Sequence, residues 1–183
     1  MSDPARLPRM TSDEFIAWAM RQPKGKRYEL SHGEIVRMAP ERLVHARMKG
    51  RIYRLLVEAV ESAGLPCEVF PDGTTVVVDE HTAYEPDALL RCGEPLDDDD
   101  VKILDPLLVV EVASPSTQAL DAGAKLEDYW RIPSLRHYLI VRTRTRVVIH
   151  HARDEAGTIT TRIIRDGAVT LDPPGISLRN VFG

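Results

Sequence analysis

A short apolar run with one charge inside it is the clearest hydrophobic pattern along the chain. Residues 107–110 read LLVV, which is the length and β-branched content of a buried strand. Glu111 interrupts the run and Val112 resumes it. Because an unpaired charge is costly inside a buried strand, we expect the Glu111 carboxyl group to be paired, protonated or bound to a cation.

A helix is predicted directly after this strand. Residues 114–117 (SPST) break the strand and supply hydroxyl groups that can cap a helix over about residues 118–131. Asp121, Lys125 and Tyr129 recur every four residues, which places them on one helix face. A strand-end carboxylate facing a helix lysine is an arrangement suited to catalysis. The structural alternatives are that Lys125 is an ion-pair partner of Glu111 or a solvated lysine, and that Tyr129 belongs to the core.

Two local patterns near the start of the chain predict a helix and a hairpin. Residues 11–14 (TSDE) precede a short apolar-periodic segment that ends before Pro23, which indicates a capped amphipathic helix. Residues 27–30 and 34–38 flank a turn that contains Gly33, which indicates a β-hairpin.

The longest helical pattern covers residues 40–63, and Gly64 is a fitting C-cap. Its predicted core-facing stripe consists of Leu43, Ala46, Gly50, Tyr53, Leu55, Leu56 and Val60. Its polar face carries Arg42, His45, Arg47, Lys49, Arg51 and Arg54. We interpret this face as solvated in preference to a nucleic-acid surface. His45 is interpreted as a structural or surface histidine, with a place in the functional site as the open alternative.

Short strand candidates fill most of the remaining chain. They cover residues 67–70, 74–79, 84–91, 136–141, 146–151 and 158–165. Four consecutive acids at residues 97–100 indicate a solvated loop, since they lack the alternating spacing and the glycine of a calcium loop. The order of elements predicts an α/β (α+β) fold with a mixed sheet, and we expect residues 1–183 to form one domain.

Composition limits the function classes that remain open. A formal net charge of −4 over 183 residues excludes a generally polyanion-binding surface, so nucleic-acid contact needs a local basic patch. Arg142, Arg144 and Arg146 would form such a patch if their segment were extended, although a solvated hairpin is an equal alternative.

Cys67 and Cys92 are expected to be reduced thiols in a cytoplasmic protein. The chain has no apolar run long enough to span a membrane and no signal-peptide pattern, so we expect no membrane partner.

A second acid precedes another apolar strand. Glu85-Pro86-Asp87 comes directly before residues 88–90 (ALL), upstream of Glu111. Two neighbouring strands can bring the Asp87 and Glu111 carboxylates to one hard cation such as Mg²⁺. Such a cation activates water and neutralises the charge that develops on a phosphate, and a nearby lysine can help.

These motifs, taken in order, resemble a known family. Pro86-Asp87 followed by Glu111-Val112 resembles the PD-(D/E)XK nuclease superfamily. A closer resemblance is to the Uma-two family of restriction-endonuclease-like proteins, over nearly the whole chain. The segments that carry it are ELSHGEIV (residues 29–36), His45, EPDALL, VVEVASPST, Asp121, Lys125 and Tyr129.

The resemblance implies a restriction-endonuclease-like core in which a mixed central β-sheet is flanked by helices. It implies that Asp87 and Glu111 hold Mg²⁺ (or Mn²⁺) and that Glu29 is a third carboxylate of the site. In the superfamily a lysine stands two residues after the second acid, but this chain has Ala113 there. Lys125 is our candidate replacement.

The function implied by this resemblance is that of a Mg²⁺-dependent endonuclease that hydrolyses DNA phosphodiester bonds by metal-activated water. The alternative is a catalytically weak or inactive nuclease-fold module with a nucleic-acid-binding or regulatory role. The missing lysine and the acidic net charge favour this alternative. DNA is the expected partner, and a homodimer or higher oligomer would suit cleavage of both strands.

Overall fold

The computed structural model describes residues 9–113 and 121–183. The loop at residues 114–117, with its predicted helix caps, and the predicted start of the following helix lie outside the described residues. Three helices occupy the described part of the chain: α1 (Ser12–Ala19), α2 (Leu43–Ala63) and α3 (Asp121–Tyr129).

Two mixed sheets form the body of the fold, where the sequence predicted one central sheet. The strands of the first sheet are β1 (Tyr28–Ser31), β2 (Glu34–Arg37), β4 (Thr75–Asp79), β5 (Thr82–Tyr84) and β7 (Lys102–Ile103). Their order is β2-β1-β5-β4-β7, and only the β4–β7 pair is parallel. The strands of the second sheet are β3 (Cys67–Pro71), β6 (Ala88–Cys92), β8 (Leu108–Ala113), β9 (His137–Arg142), β10 (Val147–Arg153) and β11 (Ile159–Ile164). Their order is β11-β10-β9-β8-β6-β3, and only the β8–β9 pair is parallel. A separate hairpin pairs β12 (Val169–Leu171) with β13 (Ile176–Leu178).

Alternate residues of β6 and β8 enter two different cores. Leu90 and Val110 belong to a cluster that includes α2 and the β12–β13 hairpin. Leu89 and Val109 face the other way, into a cluster that includes Tyr84 of the first sheet and residues of α3. Because successive side chains of a strand point to opposite faces, a strand buried on both faces shows the continuous apolar run seen in the sequence. The predicted buried strand and the α+β class are therefore confirmed.

Local sequence signals also produce the elements expected from them. Thr11 caps α1 through a reciprocal capping box with Glu14. His32 and Gly33 both have positive φ, at 53° and 84°, which is the turn geometry that a two-residue β-hairpin requires. Gly64 ends α2 in the left-handed conformation with φ 61°.

The predicted strand over residues 84–91 is wrong as a single element. The chain instead leaves the first sheet after Tyr84 and enters the second sheet at Ala88. Glu85-Pro86-Asp87 is the crossing, and proline suits a crossing because its nitrogen cannot donate to a ladder. As a result, Asp87 lies at the junction of the two sheets.

The buried face of α2 also differs from the prediction. The structure buries His45, Ile52, Leu56 and Val60, whereas Leu43 is 74 % exposed. In the first two turns of α2, the buried residue is the polar His45. The interpretation of His45 as part of a solvated face is therefore wrong.

Two smaller expectations are also corrected. Cys67 and Cys92 were expected to be free thiols, but they form a disulfide between directly paired positions of β3 and β6. Arg146 lies in the tight turn between β9 and β10 with φ 51°, so Arg142, Arg144 and Arg146 do not share the face of one extended strand.

In the described residues no helix combines the length and the hydropathy needed to cross a membrane.

Candidate functional site

A cleft of about 440 Å³ lies where α2, β1, β8 and α3 approach one another. Its wall includes the four residues named from the sequence as site candidates: Glu29, Asp87, Glu111 and Lys125. These residues come from four separate elements or connections, and up to 96 positions separate them along the chain. The fold thus brings all four predicted site residues together.

Asp87 and Glu111 are neighbours across the β6–β8 ladder. The Asp87 N–H donates to the Val110 carbonyl oxygen at 2.9 Å, and the Val112 N–H donates to Asp87 Oδ2 at 2.6 Å. The first bond fixes the backbone of Asp87 against β8, and the second holds its carboxylate beside the strand position that carries Glu111. The predicted proximity of the two acids on neighbouring strands is therefore present.

Lys125 reaches back from α3 to the strand, as its spacing in the sequence predicted. Its Nζ lies 2.8 Å from Glu29 Oε1 and 3.2 Å from Glu111 Oε1. The Tyr129 hydroxyl, one helical turn further on, donates to Glu111 Oε1 at 3.0 Å. Glu29 Oε1 also accepts the Glu85 N–H at 3.0 Å. One ammonium group therefore bridges two carboxylates that are themselves held by the backbone and a tyrosine.

The charge balance at Glu111 remains negative despite this lysine. Burial raises the pKa of Glu111 most; Lys125 opposes the rise, and the charges of Asp87 and Glu29 add to it, so that the pKa is about 7. Burial alone would lower the pKa of Lys125, but the charges of Glu111 and Glu29 outweigh burial and raise it. Lys125 is therefore a permanent cation, whereas Glu111 exchanges its proton near neutral pH.

A second lysine, missed by the sequence analysis, pairs with Asp87. Lys49 of α2 places its Nζ 2.7 Å from Asp87 Oδ1 and 2.7 Å from Glu41 Oε1. Burial raises the pKa of Asp87, and Lys49 counteracts that rise. Lys49 follows His45 by four residues, which places the two side chains on one helix face. The sequence analysis assigned that face to solvent and so did not pair Lys49 with Asp87.

His45 lies one turn before Lys49 and lines the same cleft. The residue is 9 % exposed, and its Nε2 has no hydrogen-bond partner among the residues that the structure describes. Of the other residues named from the motif, Tyr129 is fully buried against Glu111, and the side chain of Asp121 lies outside the described residues.

The donor set of the cleft suits a hard cation in chemical type. Glu29, Asp87 and Glu111 offer carboxylate oxygens, the ligands that Mg²⁺ prefers. Within residues 9–113 and 121–183, no three His, Cys, Asp or Glu side chains are grouped closely enough to hold an ion as they stand. Burial raises the pKa of Glu111 most, and the neighbouring charges of Asp87 and Glu29 raise it further against the opposing effect of Lys125. Additional positive charge at Asp87 and Glu111 would therefore be favourable.

Comparison with known proteins finds relatives that the chain matches over most of its length. The chain is 27 % identical to the uncharacterized protein slr1290 of Synechocystis sp. over 179 residues, covering 96 % of this chain and 92 % of the relative. It is 29 % identical over 135 residues to the uncharacterized protein sll1609 of the same organism, covering 72 % of this chain and 74 % of the relative.

A solved structure shares the architecture. It is the crystal structure of a "putative nuclease belonging to DUF820" from Anabaena variabilis, which matches with a TM-score of 0.72. The match covers 90 % of each chain at 13 % sequence identity, so it establishes the fold. The sequence profile of the family described as "Uma2: Putative restriction endonuclease" matches residues 12–179. The chain therefore belongs to the Uma2 family and has a nuclease-like fold.

Proposed function

We propose that the protein is a metal-dependent endonuclease that hydrolyses phosphodiester bonds of DNA in this cleft. The observation that carries the proposal is the arrangement around Glu111. A carboxyl group with a pKa of about 7 is held by a permanently charged lysine and a tyrosine, beside two further carboxylates. Perturbed ionisable groups that converge in a cleft are typical of catalytic sites.

Asp87 and Glu111 are the residues that would hold Mg²⁺ (or Mn²⁺), with Glu29 as a third carboxylate. The ion, when bound, would supply a Lewis acid for water and for the scissile phosphate. Tyr129 and the Val112 N–H fix the orientation of the Glu111 and Asp87 carboxylates, respectively. Both contacts hold the two oxygen donors in place before a ligand arrives, which reduces the cost of reorganisation.

Lys125 acts in this proposal as a cation and not as a base. Its raised pKa keeps the Nζ protonated at neutral pH, so it stabilises negative charge that develops on a phosphate. It would fill the role of the superfamily lysine, whose usual place is taken by Ala113. Since Lys125 comes from a helix beside the strand, the same charge reaches the cleft from a different element.

A catalytically weak or inactive nucleic-acid-binding module is the second candidate. Two observations favour it. Ala113 offers no side-chain function at the superfamily's lysine position, and both lysines of the cleft already form ion pairs with carboxylates. A binding module would keep the nucleic acid in the cleft without turnover.

Cleavage assays with matched variants distinguish the two candidates. Wild type, Asp87→Asn and Asp13→Asn would be incubated with supercoiled plasmid and with single strands, in Mg²⁺, Mn²⁺ or EDTA. Asp13 is the matched control because its side chain is 79 % exposed and lies outside the cleft. The nuclease proposal expects metal-dependent cleavage by wild type and Asp13→Asn, and its loss in Asp87→Asn.

Calorimetric titration with Mn²⁺ gives an independent test. Asp87→Asn and Glu111→Gln should each weaken Mn²⁺ binding, because each removes one anionic ligand. Unchanged Mn²⁺ affinity in both variants would remove them as ligands. DNA binding without cleavage by wild type in either metal would select the binding module instead, and equal cleavage by wild type and Asp87→Asn would identify a contaminating nuclease.

A further inference from the structure

The Lys49 ammonium group of α2 is surrounded by three carboxylates. Its Nζ lies 2.7 Å from Glu41 Oε1, 2.7 Å from Asp87 Oδ1 and 3.4 Å from Asp72 Oδ2. The three acids come from separate parts of the chain: the segment before α2, the crossing between the two sheets and the turn between β3 and β4. Because the Lys49 side chain is 11 % exposed, these contacts are partly shielded from water. One ammonium group is therefore shared among three carboxylates.

A second cation extends this cluster without balancing its charge. Arg27 binds Asp72 at 2.7 Å and Glu85 at 2.8 Å. Lys49 and Arg27 together thus contact four carboxylates, and the cluster has more negative than positive charge when these groups are ionised. Partly buried charges interact more strongly than charges in water, so an additional cation is attracted to this region.

Asp87 is the member of the cluster that also belongs to the candidate metal site. Its Oδ1 atom contacts Lys49, and its Oδ2 atom accepts the Val112 N–H at 2.6 Å. The residue is 7 % exposed, so little water screens either contact. An ion that takes Oδ1 as a ligand meets the ammonium group at the same oxygen, where two cations repel each other. The ion and Lys49 therefore compete for Asp87.

Lys49 can release Asp87 without losing its other partners. Glu41 and Asp72 lie within 3.4 Å of the same Nζ and remain as counter-charges. The lysine stem is flexible, so a rotation of its end lengthens the contact with Asp87 and retains the contact with Glu41. The charge of Lys49 is thus never buried without a partner, which removes the main energetic obstacle to the exchange.

We propose that Lys49 is an internal competitor of the metal ion, holding Asp87 until the ion displaces its ammonium group toward Glu41 and Asp72. The inference rests on the proposed function in taking Asp87 as a metal ligand, and it adds a device that sets the affinity for the ion. Lys49 keeps the buried Asp87 carboxylate paired in the metal-free protein, and for the same reason it weakens metal binding. Removing its charge should therefore strengthen binding, which is the opposite of what the loss of a supporting residue would do.

Calorimetric titration with Mn²⁺ compares wild type with Lys49→Met and Lys49→Arg. Two unit charges about 4 Å apart near a protein surface interact by more than the energy of a tenfold change in affinity. We therefore expect Lys49→Met to bind Mn²⁺ at least about tenfold more tightly, because Asp87 no longer has a competing cation. Lys49→Arg keeps the positive charge beside Asp87 and should gain less than about threefold. An affinity of Lys49→Met that equals or falls below that of wild type would overturn the proposal.

Arg27→Met is the matched control for a general effect of charge. It removes one positive charge from the same cluster, but Arg27 contacts Asp72 and Glu85 and is not among the described residues that line the cleft. Its Mn²⁺ affinity should rise by less than about threefold. Equal gains in Arg27→Met and Lys49→Met would mean that no specific exchange occurs at Asp87, and would contradict the proposal.

A Mg²⁺ titration of wild type followed by NMR keeps the test independent of the folding of any variant. The probes are the Cε signal of the Lys49 side chain and the amide of Val112, which donates its hydrogen bond to Asp87. We expect both signals to shift with the same midpoint as the ion replaces the ammonium group. A shift of Val112 with an unmoved Lys49 signal, or no shift of either, would show that the ion does not displace Lys49.

The two proposals fail separately. The exchange of Lys49 for an ion is measured without DNA, so ion binding with the expected gains but no cleavage by wild type would overturn the nuclease alone. Metal-dependent cleavage by wild type, with unchanged Mn²⁺ affinity in Lys49→Met, would overturn the competition and leave the nuclease standing.

Discussion

Replacing Glu111 by glutamine tests whether the cleft disfavours a charge at this position. The Glu111 side chain is 18 % exposed, and its pKa is raised from 4.5 to about 7. A carboxyl group whose pKa is raised in the folded state stabilises the protein below its unfolded pKa, and this contribution is lost as the pH rises through the folded value. The window for Glu111 therefore runs from about pH 4.5 to pH 7.

The size of the effect follows from the shift. One pKa unit corresponds to about 1.4 kcal/mol, so ionising Glu111 in the folded state costs roughly 3 kcal/mol. Glutamine has the same shape as the protonated acid and never ionises. Once Glu111 is protonated in wild type, as in Glu111→Gln, Lys125 retains only Glu29 as its ion-pair partner. The pH dependence of the difference between the proteins therefore isolates the ionisation of Glu111.

Urea denaturation of both proteins between pH 5 and pH 8 measures this difference. We expect the free energy of unfolding of Glu111→Gln, relative to wild type, to rise by roughly 2 to 3 kcal/mol over that range. Glu58→Gln is the matched control, since the Glu58 side chain is 53 % exposed, and its difference should stay within about 0.5 kcal/mol. A constant difference for Glu111→Gln would show that the pKa of Glu111 is not raised, and the reasoning about this site would fail.

Added metal extends the same experiment. An ion that binds only the folded protein raises its stability by about 1.4 kcal/mol at ten times its dissociation constant. Mg²⁺ should therefore restore part of the stability that wild type loses at pH 8, and it should do much less for Glu111→Gln. Equal gains in both proteins would place the ion elsewhere.

Three further predictions concern other parts of the molecule. Lys49→Met leaves the Asp87 carboxylate buried without its cation. Urea denaturation should therefore show a free energy of unfolding lower by roughly 3 kcal/mol. No measurable loss would mean that this ion pair is not formed. Burial lowers the pKa of His150 to about 4, so the neutral ring stabilises the fold above the unfolded pKa of the histidine. This contribution is lost as the pH falls from about 6.5 to 4. The variant His150→Gln should therefore lose less stability in that range, which acid titration followed by circular dichroism would show. Replacing Cys67 and Cys92 together by serine should cost about 3 kcal/mol for a loop of 25 residues, and titration of the oxidised wild-type protein with a thiol reagent should find no free thiol.

Local patterns in the sequence were sufficient for the elements whose signals are local. The capping box of α1, the His32-Gly33 turn and the Gly64 cap depend on residues a few positions apart, and each formed where it was predicted. The apolar run around Glu111 likewise specified a strand buried on both faces. The spacing of Lys125 and Tyr129 placed both on the helix face that contacts Glu111.

Only the tertiary structure decided which distant groups meet. The sequence could not assign Lys49 to Asp87, because a lysine on a polar helix face looks the same whether solvent or a carboxylate lies beyond it. For the same reason it could not show that His45 is buried, that residues 84–91 divide between two sheets, or that Cys67 faces Cys92 across a ladder. Periodicity records which side of an element avoids water, but the identity of the opposing group depends on how separate elements pack, and that is a property of the whole fold.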